Sequence, residues 1–259
     1  MTSYIKVTQF DKVTLLTLNR PEKRNALNAE VITEFHLTLK KISQDSSKIL
    51  LINGEGDHFC AGGDIEEMQR NGLADEQVNL QDAELLAELL LTLYTFPKPT
   101  VVLAHGATLG GGMGLVTAAD IAICSHEAKF GFPEVRIGLI PAVISPYVIA
   151  AIGKRNAQYY FLTAEQINAE RAYQLGLILQ KVDRNELINA GKNLANILLE
   201  ASPHALHACK KLIRDMSMEV IDDTLAQVTA KTLAELRATR ETQEGLSAFI
   251  EKRKPSWRN

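Results

Sequence analysis

Cysteine is scarce in this chain and poorly placed for cross-linking. The three present, Cys60, Cys124 and Cys209, are odd in number and none falls in a CxxC pair. Neither a disulfide framework nor a structural zinc site is expected, and the usage fits a reducing compartment. Charge of one sign is not in excess: 28 Lys and Arg stand against 31 Asp and Glu, a formal net charge of −3. That balance gives no electrostatic reason for a nucleic-acid or membrane partner, although the last segment is locally basic at Lys252, Arg253, Lys254 and Arg258. The longest mainly apolar stretch, Leu139 to Ile152, carries Pro141 and Pro146 and is too short to span a bilayer. The first ten residues, MTSYIKVTQF, contain neither a basic n-region nor an apolar h-region. No signal peptide is expected, and a soluble, cytoplasmic protein is the default.

Several familiar catalytic loops are missing too. No GxGxxG follows the first strand, no glycine loop leads into Lys-Ser/Thr, and GxSxG does not occur. Cys60 lies close to His58, but near neighbours along a strand do not face each other, so Cys60 reads as a small buried hydrophobe. His58, His105, His204 and His207 lack metal-ligand company and read as structural or exposed. No metal and no redox cofactor is expected.

What remains is an ordinary globular composition, 46% hydrophobic and 23% charged over 259 residues. That length is near the upper limit for a single core. Residues 4–9 and 12–18 read as a hairpin turning at Asp11-Lys12, with Val13, Leu15 and Leu16 directed to one core. Asn28 is placed to cap a helix running to about Ser43, with Val31, Ile32, Phe35, Leu39 and Ile42 at helical spacing. Further strands are expected at 48–53, 100–104, 121–125, 128–130 and 177–182, and a long helix at 78–95. From about residue 142 the pattern is mostly helical. Thr163 to Gln166 has the form of a capping box, Ser202-Pro203 opens a helix, and further helices are expected over 203–217, 219–245 and 246–252. The fold class is α/β, with strand–helix units first and a helical tail after them.

Two strand-to-helix loops carry the chemistry. Val101 to Asp120 runs from a β-branched strand through Gly110-Gly111-Gly112 into an Ala-rich helix, and residues 59–64 (FCAGGD) repeat that layout. A helix start leaves main-chain N–H groups without partners, and glycines let a ligand oxygen approach them. If the fold joins the loops, two N–H groups converge on one oxygen. Such an oxyanion hole suits enolate chemistry on a thioester, with a carboxylic acid moving a proton at the neighbouring carbons.

The residues Asn19 to Asn28 (NRPEKRNALN), Phe59 to Ile65, His105 to Leu115 and Phe132 to Leu139 resemble, in order and spacing, the enoyl-CoA hydratase/isomerase (crotonase) family. The resemblance extends through Glu244 to Arg253. It implies a crotonase-like spiral of ββα turns over residues 1–200 and a C-terminal helical oligomerisation region over 201–259. It also implies a homotrimer or a hexamer built as a dimer of trimers. Carried over by motif position, the amides of Gly63 and Gly111 hold the thioester oxygen of an acyl-CoA, and Glu134 is the acid/base. Arg24, Ala26, Ala61, Asp64 and Ile65 fall where the CoA nucleotide and pantetheine lie, and Phe249 and Lys252 match tail residues that reach CoA. CoA is part of the substrate, so no separate cofactor is implied.

The chain departs from the family at Gly114, which stands where hydratases place a second glutamate. The segment from Glu134 to Tyr147, with glycine at 114, resembles bacterial hydratases of carboxylated, branched acyl-CoAs of the methylglutaconyl type. Arg136 is then a candidate partner for a substrate carboxylate. Double-bond isomerases of the family also work with one glutamate, and a non-catalytic crotonase-like binding protein is the remaining alternative.

Overall fold

The computed structural model describes residues 3–217 and 219–258. The strands are β1 (Ile5–Phe10), β2 (Val13–Leu18), β3 (Ile49–Gly54), β4 (Thr100–Ala104), β5 (Ala107–Leu109), β6 (Ile121–Ser125), β7 (Lys129–Gly131), β8 (Ile167–Asn168) and β9 (Gln180–Val182). The helices are α1 (Ala29–Gln44), α2 (Ile65–Gly72), α3 (Glu76–Tyr94), α4 (Gly111–Ala118), α5 (Ser145–Thr163), α6 (Ala169–Gln174), α7 (Leu187–Leu199), α8 (Pro203–Met216), α9 (Asp223–Arg237) and α10 (Arg240–Ile250).

Two sheets organise these elements. The larger has the order β1-β2-β3-β4-β6-β9 and is parallel except for the β1–β2 hairpin. The smaller has the order β5-β7-β8. The successions β4-β5-α4 and β6-β7-α5 each place one strand in each sheet and then close with a helix. After β3, Cys60 bridges Thr108 where a second strand would lie, and α2 follows. This is a spiral of ββα turns, as expected.

Both faces of the large sheet are covered at its centre, which is why β3, β4 and β6 are mostly apolar instead of alternating with polar residues, unlike the edge strands β1 and β9. Leu50, Ile52, Val102, Ala104 and Cys124 face the interior of the spiral. Their neighbours Ile49, Leu51, Val101, Leu103 and Ile123 pack on Leu187, Ala190 and Ala195 of α7. The same alternation corrects the reading of β2. Val13 and Leu15 join the α7 side, whereas Leu16 and Leu18 enter the spiral, because successive side chains of a strand point to opposite faces.

Local capping set two other departures. Thr163 ends a helix instead of starting one. Its hydroxyl donates to Tyr159 O at 2.9 Å, Ala164 turns left-handed at φ 49°, and Asn168 caps α6 by accepting from Arg171 N. The helix expected over 219–245 is broken where Thr239 accepts from Thr242 N and starts α10. Elsewhere Asn28 caps α1 through Val31 N, as its position suggests. No helix among the described residues is long and apolar enough to cross a membrane.

Candidate active site

The first glycine loop, residues 54–64, is anchored from β2's exit. Asn25, buried and left-handed at φ 55°, donates to Glu55 O and His58 O and accepts from Arg20 N. Leu27 then bridges the loop: its N–H donates to Gly62 O at 2.8 Å, and its carbonyl accepts from Asp64 N at 2.9 Å. The bridge skips the amide of Gly63, which makes no hydrogen bond among the described residues. In the second loop, Gly110 N donates to Gly131 O at 3.1 Å, and the next amide, Gly111 N, opens α4 without a partner among the described residues.

The loops touch. Cys60 N donates to Ala107 O at 3.3 Å and Leu109 N to Cys60 O at 3.0 Å. Beyond that rung the contact is too close for side chains. A Cβ at Gly62, where φ is +99°, would lie 3.0 Å from Leu109 O, and one at Gly112 would lie 2.4 Å from Cys60 O. A Cβ on Gly111 would sit 3.9 Å from the carbonyl carbon of Gly62, the atom bonded to Gly63 N. Both unpartnered amides therefore lie side by side.

They line a cavity of about 320 Å³ together with Gly62, Gly110 and Glu134. Leu27, Ile32, Met68, Leu86 and residues 139–144 give it an apolar wall. Glu134 begins a short 3₁₀ turn after β7, and its Oε1 would be 3.1 Å from a Cβ on Gly110. Its Oε2 is buried and has no hydrogen-bond partner. Burial pushes the Glu134 pKa up; a hydrogen bond from its own main-chain N–H pulls the other way without cancelling it. Raising its pKa makes the carboxylate a stronger base, which suits it to accept a proton and return it.

A profile of the family described as enoyl-CoA hydratase/isomerase matches residues 9–259. The chain belongs to that family. The chain is 33% identical over 258 residues to the 2,3-dehydroadipyl-CoA hydratase of Escherichia coli, covering 99% of each. It is 32% identical over 248 residues to the short-chain-enoyl-CoA hydratase of Clostridium acetobutylicum, covering 94% of this chain and 93% of that protein. A solved enoyl-CoA hydratase from Shewanella pealeana is similar in fold, with a TM-score of 0.95, 39% identity, and coverage of 98% of this chain and 96% of that one.

Against that family pattern the structure sorts the remaining expected residues. Ala61 and Ile65 line the cavity, and Ala61 N donates to Arg24 O at 3.0 Å. Arg24 is exposed, and its guanidinium makes no hydrogen bond or ion pair among the described residues. Ala26 is buried beside it, its carbonyl taken by Arg20 Nη1 at 3.2 Å. Asp64 is committed elsewhere: it caps α2 through Glu66 N and Glu67 N and pairs with Arg20 at 2.7 Å. Burial opposes its ionisation, but the Arg20 guanidinium and those amides hold its pKa below the usual carboxylate value.

Arg24, Ala26 and Asp64 do not line the cavity, and neither do four further expected residues, Gly114, Arg136, Phe249 and Lys252. Gly114 is buried in α4, where an added Cβ would lie 2.6 Å from Ile144 Cγ2 and 2.9 Å from Leu90 Cδ1. The space of a second glutamate is filled by those two side chains. Arg136 is exposed and outside the cavity lining, and it donates to Ala164 O at 2.9 Å at the end of α5. The tail pair also lies outside the lining: Phe249 is 84% exposed, and Lys252 sits just past the end of α10.

The sequence reading missed Glu67 and Asp82 on the cavity wall. Burial raises the Glu67 pKa; an accepted bond from Ala29 N opposes the shift, and the charges of Asp82, Glu30 and Asp64 add to it. No signal along the chain pairs these acids, since α2 and α3 meet only in the folded state. Among the described residues no Lys, Arg or His lines the cavity, and no cluster of three or more His, Cys, Asp or Glu could hold a metal ion.

Proposed function

We propose that the chain hydrates a 2-enoyl-CoA thioester to the 3-hydroxyacyl-CoA. The observation that carries this reading is one cavity holding two unpartnered amides and a buried carboxyl oxygen without a partner. With the thioester oxygen between the Gly63 and Gly111 amides, water adds at C3 and its displaced proton passes to Glu134. The electron pair of the double bond moves onto the thioester oxygen as an enolate, and Glu134 returns the proton to C2. Each amide aimed at the developing charge is worth about 3 kcal/mol. One carboxyl group suffices because the proton it takes is the proton it gives back.

The exclusion of a side chain at position 114 also favours a second reading. A single carboxylate can shuttle a proton between C4 and C2, which makes the chain a double-bond isomerase. The finer substrate reading is a branched or carboxylated acyl group of the methylglutaconyl type, supported by the resemblance of the segment from Glu134 to Tyr147. Among the described residues no cation lines the cavity wall, so a charged partner for such a carboxylate would come from elsewhere, as from a neighbouring copy. Product analysis with 2-enoyl, 3-enoyl and carboxylated branched enoyl-CoAs tests all three. Formation of 3-hydroxyacyl-CoA from the 2-enoyl substrates is expected; conversion of 3-enoyl substrates alone would replace hydratase by isomerase.

A further inference from the structure

Residues 54–60 and 105–109 run side by side ahead of the free amides. Three main-chain hydrogen bonds join them: Phe59 N to His105 O at 2.8 Å, Cys60 N to Ala107 O at 3.3 Å, and Leu109 N to Cys60 O at 3.0 Å. Two imidazoles cross the same seam in opposite directions. His58 Nδ1 accepts from Ala107 N at 3.0 Å, and His105 Nε2 lies 3.1 Å from Gly56 O. An amide N–H only donates and a carbonyl only accepts, so each ring carries its proton on Nε2. His105 is fully buried; burial, helped by the charge of Arg184, pushes its pKa down to about 4 and keeps it neutral. Gly56 O also receives Arg184 Nη2 at 3.0 Å. The seam is tight at Gly106, where a Cβ would lie 1.9 Å from Asp57 O.

We infer that His58 and His105 are positioning residues, a reciprocal brace that holds the Gly63 and Gly111 amides at the spacing one thioester oxygen requires. The inference rests on the proposed role of those amides. Each loop gives one imidazole to the main chain of the other, so the two cannot slide past each other without breaking both bonds. The free amides follow a few residues further along the same paired segments, and a slip at the seam is carried to them. Both rings thereby gain a function that their lack of metal-ligand company left open.

The test compares His58→Leu and His105→Leu with His58→Asn, whose side-chain carbonyl can accept, and His105→Gln, whose amide can donate. Two readouts are used: kcat and KM for an enoyl-CoA, and the absorption of bound 4-(dimethylamino)cinnamoyl-CoA, which moves to the red as its carbonyl is polarised. The leucine variants should lose roughly 10- to 100-fold in kcat with KM within about threefold, and should show a smaller red shift. The asparagine and glutamine variants should recover most of both. Where a leucine variant does not accumulate folded, the alanine variant replaces it. A wild-type red shift retained in full by the leucine or alanine variants overturns the brace alone. Absence of any red shift in the wild-type complex overturns the role of the amides, and the brace with it.

Discussion

Glu134 and Gly114 show how one residue's surroundings decide what it can do. Glu134 has a raised pKa because its carboxyl is buried with one oxygen unpaired. The native state therefore binds that proton more tightly than the unfolded chain does. Below the unfolded value both states are protonated and burial costs nothing; above the folded value the native state carries a buried charge and loses stability. Glu134→Gln should accordingly raise the melting temperature at pH 7, with the gain vanishing in acid, and should lower kcat roughly 10²- to 10⁴-fold while acyl-CoA still binds. Thermal melts and kinetics across pH check both effects. At Gly114 the reverse holds, since the site has no room. Gly114→Ala should destabilise the fold by roughly 1–3 kcal/mol through overpacking against Ile144 and Leu90. Gly114→Glu should not raise hydratase activity, which denaturant melts and a hydration assay measure together.

At the scale of the element, the start of α2 binds three parts of the chain. Asp64 caps the helix, pairs with Arg20 beyond β2, and donates its main-chain N–H to Leu27 ahead of α1. Asp64→Ala removes a helix cap and strands a mostly buried guanidinium, and is expected to cost roughly 2–4 kcal/mol. Asp64→Asn keeps the cap and should cost less. The pKa of Asp64 is held down in the fold, so its contribution is present above the unfolded carboxylate value and lost as pH falls through the lower folded value. Urea titrations of the wild type and both variants should therefore converge in strong acid. Asp64 at a helix start was legible along the chain; its pairing with Arg20 was not, because that contact joins loops that meet only after the sheet forms.

At the scale of the whole molecule, the helical tail presents an apolar face to solvent. Among the described residues α8 and α9 bury no side chain and α10 buries only Ala248. Ile213, Leu233, Leu246, Phe249 and Ile250 are left exposed. Such a surface is expected to be covered by other copies of the chain, so light scattering should report three or six times the 28.6 kDa of one chain. A monomer at micromolar concentration would contradict this.

Much of this protein is determined by short-range sterics, and that part could be read along the chain. Strand–glycine–helix punctuation, the caps at Asn28 and Ser202, and the turn at Asp11 depend on a few adjacent residues each. They located both loops, whereas Glu134 was placed by the resemblance to the enoyl-CoA hydratase/isomerase motifs. Tertiary structure alone decided which groups met: the Gly63 and Gly111 amides beside each other, Leu90 and Ile144 in the space next to Gly114, Arg136 turned to Ala164, and two histidines crossing one seam. Those outcomes depend on contacts between segments far apart in sequence, and no local pattern encodes how distant surfaces fill shared space.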